Sequence, residues 1–434
     1  MTVHRLPRTS PVARELSRRR ALHVLGGGLL AAPAALSMSA ASPTGAASRL
    51  QSSGEKQELA VSVGRQPWAA GNSPITQYMM NNGLFEQAAA EVGYELTIDW
   101  RDYPSAQPQV EAMIGNELDF GMWGNTPIIR AIAAEQAVSI VNVGEGHFRF
   151  ILATRPDRGI RNMEDLKGKT VGALLGGDPY NVLSQMLLYT LGSGNPEDND
   201  ITVVNTPTQA QAATIPRGMD AAVVIYPAFL KAKEELGTVG IINSFGYTED
   251  FYTGPAGEGG GILLDAVKES PFYPDGFYLH RSLWMARNAV LEEHPDVAVA
   301  FAVAQQQALN ELSTWEPTDI ASLVQEYWEL PPEQGAKIVE DGLLFKRDWV
   351  WLTEGDARAV VETSKFMVDG GLIEEPLTWQ QLKDNIANSA PLMQQAYDLS
   401  GGFPPPEEFE AADASDIRGL PSWKLEQWGG DEAS

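Results

Sequence analysis

Gly115-Asn116-Glu117-Leu118-Asp119-Phe120-Gly121-Met122-Trp123-Gly124-Asn125-Thr126-Pro127 holds a turn, a strand and a helix start in one short run. The glycine opens the turn. Residues 118–122 have the length and apolar content of a short buried strand. Pro127 opens a helix, since a proline in the first turn gives up an N–H that has no partner there anyway. Trp123 to Thr126 then fall at the carboxyl end of the strand, which is where ligands sit in an open parallel sheet.

The same alternation runs outward in both directions. Further strands are expected over 59–63, 95–100, 138–144, 149–154, 170–173, 201–204 and 221–225, with helices over 78–92, 106–115, 127–135, 180–191, 207–217 and 227–236. That is the pattern of a mainly parallel sheet with helices on its faces. Beyond about residue 281 only helices are expected, over 286–314, 319–327, 332–342, 354–369 and 378–397, followed by an acidic, Pro-rich tail over 401–434.

At 434 residues and 44% hydrophobic content the chain can build more than one core. The net charge is −26, and residues 1–48 carry six arginines against one glutamate, so the remainder is more acidic still. Nucleic acid and anionic membrane are unsuitable partners for such a surface. There is no cysteine, which excludes disulfides, thiolate metal sites, a thiol nucleophile and the lipidated cysteine of a bacterial lipoprotein.

Residues 1–48 read as an address. Ser17-Arg18-Arg19-Arg20 leads into an apolar, small-residue run from Ala21 to about Ala40 and then into a small-residue zone ending at Ser48. This is the order of an export signal, and the adjacent arginines suggest the twin-arginine route, although Ala21 stands where such signals carry a bulky apolar residue. A membrane anchor is the alternative, weakened by Gly26 to Gly28. The remainder is expected in the periplasm or outside the cell.

From about residue 60 to 330 the chain resembles the nitrate/sulfonate/taurine-type solute-binding proteins of ABC importers. The resemblance rests on the opening segment, on Met163-Glu-Asp-Leu-Lys-Gly-Lys-Thr-Val-Gly172, on Arg217-Gly-Met-Asp-Ala-Ala-Val-Val-Ile-Tyr-Pro227, and on Glu293-His-Pro-Asp-Val297. It implies an α/β fold, periplasmic-binding-protein-like and two-lobed, with two crossings between lobes and here a helical C-terminal extension. The first lobe would span 57–150 and resume over 262–400, and the second would span 151–261. The crossings are expected at the strand through 149–156 and at the glycine-rich loop 252–261. The implied partners are a small-molecule ligand, held between closing lobes, and an ABC permease with its ATPase; the export machinery follows from the signal. No cofactor and a monomer are expected.

The strand-end loops then supply the candidate ligand-binding residues. They are Trp68, Asn72 and Ser73; Trp123, Gly124, Asn125 and Thr126; Gly177, Asp178 and Tyr180; and Asn205 with Thr206 and Tyr226. The aromatic rings would enclose an organic ligand and the amides and hydroxyls would orient it. Asp178 has two readings: an N-cap for its own helix ahead of Pro179, or a cleft-facing carboxylate that selects an amine. Arg65, Arg101, Arg149 and Arg217 are the arginines placed to clamp an anion.

Two other classes fit less well. An enzyme would need a base, and His147 is the only histidine near the expected cleft, where packing or ligand contact suits it better than proton transfer. The implied fold also serves desulfinases with a cysteine nucleophile, a route closed to a chain without cysteine. A sensor that presents its ligand to a membrane receptor would need the same cleft, and the residues do not separate it from an importer component.

Overall fold

The computed structural model describes residues 56–68, 72–146, 148–248, 262–410 and 419–429. In chain order the first lobe contributes β1 (Gln57–Arg65), α1 (Asn72–Asn82), α2 (Leu84–Glu91), β2 (Tyr94–Asp102), α3 (Ala106–Ile114), β3 (Phe120–Gly124), α4 (Asn125–Ala133) and β4 (Val138–Gly146). The second contributes β5 (Phe150–Thr154), β6 (Thr170–Ala173), α5 (Asp178–Leu191), β7 (Thr202–Asn205), α6 (Gln209–Thr214), β8 (Ala221–Ile225), α7 (Tyr226–Leu236) and β9 (Val239–Asn243). The chain then returns through β10 (Arg281–Arg287).

Two five-stranded sheets result, in the orders β2-β1-β3-β10-β4 and β7-β6-β8-β5-β9. In the first, β3 runs parallel to β1 with Val63 opposite Phe120, whereas β10 lies antiparallel between β3 and β4. In the second, β6 is parallel to β7 and β8, whereas β5 lies antiparallel between β8 and β9. The strand that carries the chain into each sheet from the other is therefore the one that runs against its neighbours. Covered on both faces, β3, β5 and β8 are buried from end to end, which is why their sequences are continuously apolar or small rather than alternating.

The helical extension consists of α8 (Asn288–Glu293), α9 (Pro295–Leu312), α10 (Pro317–Ser322), α11 (Gln325–Trp328), α12 (Pro332–Asp341), α13 (Leu343–Arg347), α14 (Glu354–Asp369), α15 (Trp379–Ile386), α16 (Ala390–Leu399) and α17 (Pro406–Glu410). α9 is the core helix of the first lobe: Phe301 stacks on Phe120 at 4.8 Å and meets Trp284 edge-on at 4.8 Å. α14 packs against α4 of one lobe and α5 of the other. No helix among the described residues is long and apolar enough to cross a membrane.

Several expectations are corrected. The helix expected over 78–92 is two helices, because Gly83 at φ 60° takes a left-handed turn between them. The helix expected from residue 286 begins instead as β10, whose Leu283-Trp284-Met285 is fully buried between two strands. A short apolar run of this kind has no periodicity to tell strand from helix, and β9 was overlooked for the same reason. The helix expected over 378–397 breaks between α15 and α16. The glycine-rich loop 252–261, the histidine at 147 and residues 1–48 lie outside the described residues.

Candidate binding cleft

Both sheets turn their strand ends toward one cavity of about 610 Å³. Gln66 and Trp68 follow β1, Pro104 and Ser105 follow β2, Gly124 closes β3, Leu174 to Pro179 follow β6, Pro207 and Thr208 follow β7, and Ile225 closes β8. The walls are largely apolar, with Met122, Phe148, Phe150 and Pro227 among them. Tyr327, Trp328 and Glu329 from α11 and its following turn complete the rim.

Asp178 lies at the back of this cavity. It is the first residue of α5, and the N-cap position is held by Gly177. Asp178 Oδ1 instead accepts from the Thr126 N–H at 2.8 Å and from the Tyr278 hydroxyl at 2.7 Å. The expectation of a cap on its own helix is thus corrected: the carboxylate caps α4 of the opposite lobe. Gly124 makes room for it, since a Cβ there would lie 1.8 Å from Oδ2. Asn181, one turn further along α5, donates to the Thr126 hydroxyl at 3.4 Å.

His280 Nε2 stands 3.5 Å from Asp178 Oδ2, and its ring stacks on Phe148 at 4.4 Å. Burial lowers the His280 pKa, against the pull of Asp178. Burial alone would raise the Asp178 carboxyl, but the bond and charge of His280, with the donors at Thr126 and Tyr278, hold it below the ordinary carboxylate range. Both shifts run toward a carboxylate beside a neutral imidazole. Ser282 Oγ also lies 3.5 Å from Nε2. Carboxylate and hydroxyl therefore share one ring nitrogen, whereas a nucleophilic triad needs the acid on one nitrogen and the hydroxyl on the other.

The other expected residues divide between wall and scaffold. Trp68 lies on the rim, 46% exposed and edge-on to Tyr327 at 5.9 Å, and Gly124 and Gly177 line the cavity. Asn72 donates to Gly144 O at 2.8 Å, and Ser73 donates to Gln66 O at 3.3 Å; both are buried behind the wall. Trp123 is fully buried in the first lobe. Asn125 donates to Leu279 O and Thr363 Oγ1 and accepts from Arg281 N, which fastens the returning chain and α14 to α4.

In the second lobe, Asn205 holds the Leu175 N–H at 3.1 Å and so shapes the β6 loop, and Thr206 is buried. Tyr226 is buried under the Arg149 guanidinium, 4.9 Å from its ring centre. Tyr180 borders a separate hollow with Pro196 and Leu372. None of the four arginines lines the cleft. Arg65 is bound to Asp102 at 2.5 Å, Arg101 to Asp99 and Arg149 to Asp341, while Arg217 is exposed.

Sequence reasoning missed Tyr278, His280 and Ser282 because they lead into or lie in β10, and it missed Tyr327 to Glu329 because they arrive from the extension. The alternating Phe277-Tyr278-Leu279-His280 before an apolar run was the available signal for the first group.

The model of the family described as NMT1/THI5 like matches residues 91–314, just over half of the chain. A Bacillus subtilis (strain 168) protein named for aliphatic sulfonate binding is 22% identical over 70% of this chain and 80% of its own. The taurine-binding periplasmic protein of Escherichia coli (strain K12) is 25% identical over 64% and 79%. Among solved structures, the alkanesulfonate-binding protein of Xanthomonas axonopodis pv. citri superimposes with a TM-score of 0.55 at 16% identity, covering 74% of this chain and 96% of that one. The desulfurization enzyme DszB gives 0.50 at 14% identity over 77% and 99%, so the architecture is shared by binding proteins and an enzyme. The match spans β2 to α9, including Asp178 and His280, and the chain belongs to the NMT1/THI5-like family.

Proposed function

We propose that this chain is the exported solute-binding component of an ABC importer, acting as a monomer that closes on a small organic molecule and presents it to a permease. The observation that carries the reading is the cleft itself, an apolar cavity walled by strand ends of both sheets. Its relatives named for taurine and aliphatic sulfonates support the class. Ligand contacts on both lobes would favour the closed form, which is the form a permease would recognise. Residues 1–48 serve as the twin-arginine-type signal and are removed on export.

Binding without turnover suits the chemistry of the wall. The chain has no cysteine, and Asp178 and Ser282 lie against the same His280 nitrogen, which is not the arrangement of a nucleophilic triad.

The test is a melting screen of the exported protein against sulfonates, carboxylates, amines, pyrimidines and inorganic anions. A solute present at about a hundred times its Kd adds about 2.7 kcal/mol of stability. One responsive class with no product formed is the expected result. A folded protein unmoved by every class, or one that converts a compound, would overturn the assignment.

A further inference from the structure

This inference rests on the solute-binding reading and narrows it. An oxyanion entering such a cleft would seek a helix N-terminus or an arginine. The N-terminus of α4 is already occupied, since the buried Asp178 takes the Thr126 N–H through Oδ1, and its Oδ2 fills the space over Gly124. A sulfonate or carboxylate placed there would meet a buried like charge. Among the described residues no arginine lines the cavity, and the charged side chains that do are Asp178, Glu235, Glu329 and Lys231, with Lys231 paired with Glu329.

The cavity wall offers an acceptor. The ionised Asp178 is the stronger acceptor for the His280 Nε2–H, which leaves Nδ1 as a bare lone pair. That Nδ1 is buried away from the cavity, so the acceptor open to a ligand is Asp178. Among the described residues, Asp178 Oδ2 has only the long 3.5 Å approach of the imidazole. Of the nearby amides, Gln66 donates to Met122 O and Gln209 accepts from Ile225 N, each bond using one end of the side chain.

We propose that the solute is an organic amine, whose N–H donors engage Asp178 while its apolar body lies against Phe150, Leu174 and Ile225.

Isothermal titration of the exported protein near neutral pH with hexylamine, 1-hexanol and hexane-1-sulfonate compares head groups on one apolar body. The amine is expected to bind about tenfold or more tightly than the sulfonate, with the alcohol between. Asp178→Asn keeps the Oδ1 acceptor for Thr126 and Tyr278 but turns Oδ2 into a donor, so it should lower amine affinity by about tenfold and spare the alcohol. Mass spectrometry of small molecules released from the purified protein on denaturation should find a nitrogen base. Sulfonate binding as tight as the amine, or a released acid, overturns the amine assignment and leaves the solute-binding reading intact. A folded protein that binds none of the three and releases nothing counts against both.

Discussion

At the scale of single residues, this protein spends buried charge on fastening its extension to the first lobe. Asp356 accepts from Arg281 Nε at 2.7 Å and from Arg347 Nη1 at 2.9 Å, and all three side chains are almost wholly buried. The two guanidiniums hold the Asp356 carboxyl low against the upward push of burial. Asp356→Ala would leave two buried cations facing each other, a change that costs about 3–5 kcal/mol; urea denaturation should show the midpoint falling accordingly. Glu145 is the opposite case. Burial pushes its pKa from 4.5 up to about 8, against the N–H groups of Gly146 and Leu343 and the charges of Lys346 and Arg347. The folded state therefore holds a proton that the unfolded chain releases, so this residue removes stability as pH rises from about 5 to 8. Glu145→Gln should flatten the fall in melting temperature over that interval, and a variant with the wild-type slope would show that Glu145 is ionised when folded.

At the scale of elements, the return to the first lobe depends on close backbone approach. Gly276 has φ +120°, and a Cβ there would stand 2.3 Å from Ser244 O. No side-chain rotation relieves a clash with backbone, so Gly276→Ala should cost well over 1 kcal/mol. Because Tyr278 and His280 follow directly, the same substitution should weaken solute binding as well as lower the melting temperature. Gly83 acts more mildly: its left-handed turn divides α1 from α2, and a Cβ there would meet nothing closer than 3.8 Å. The strand β10 shows why elements of a two-lobed chain are hard to assign locally. Its burial comes from β3 and β4, whose residues lie more than a hundred positions earlier in the chain.

At the scale of the whole molecule, the extension ties the two lobes together. Lys231 on α7 pairs with Glu329, Gln334 donates to Glu234 at 3.1 Å, and the buried Arg149 meets Asp341 at 3.0 Å. The first two contacts are solvent-exposed, and such pairs contribute about 0–1 kcal/mol. That is small for folding, yet 1 kcal/mol shifts a balanced open-closed equilibrium about fivefold. Glu329→Ala should therefore leave the melting temperature of the empty protein nearly unchanged, while weakening solute affinity by up to about fivefold through faster release. Stopped-flow displacement measures that release rate directly.

Much was settled by the chain alone: the alternation of apolar strands with Pro-started helices, the two-lobed class, the absence of thiol chemistry and the loops near which a cleft would form. These are legible because hydrophobic period, proline geometry and composition act over a few residues at a time. Which side chains of those loops face the ligand was a tertiary matter. Trp123, Asn125 and Tyr226 turned into the scaffold, whereas His280 and Tyr327 came to the cavity from segments that look unrelated in sequence. Asp178 shows the physical reason most plainly. Its place before Pro179 pointed to a cap on its own helix, but the unpaired N–H that it reached, at Thr126, belongs to the other lobe and comes within 2.8 Å only when the two sheets face each other.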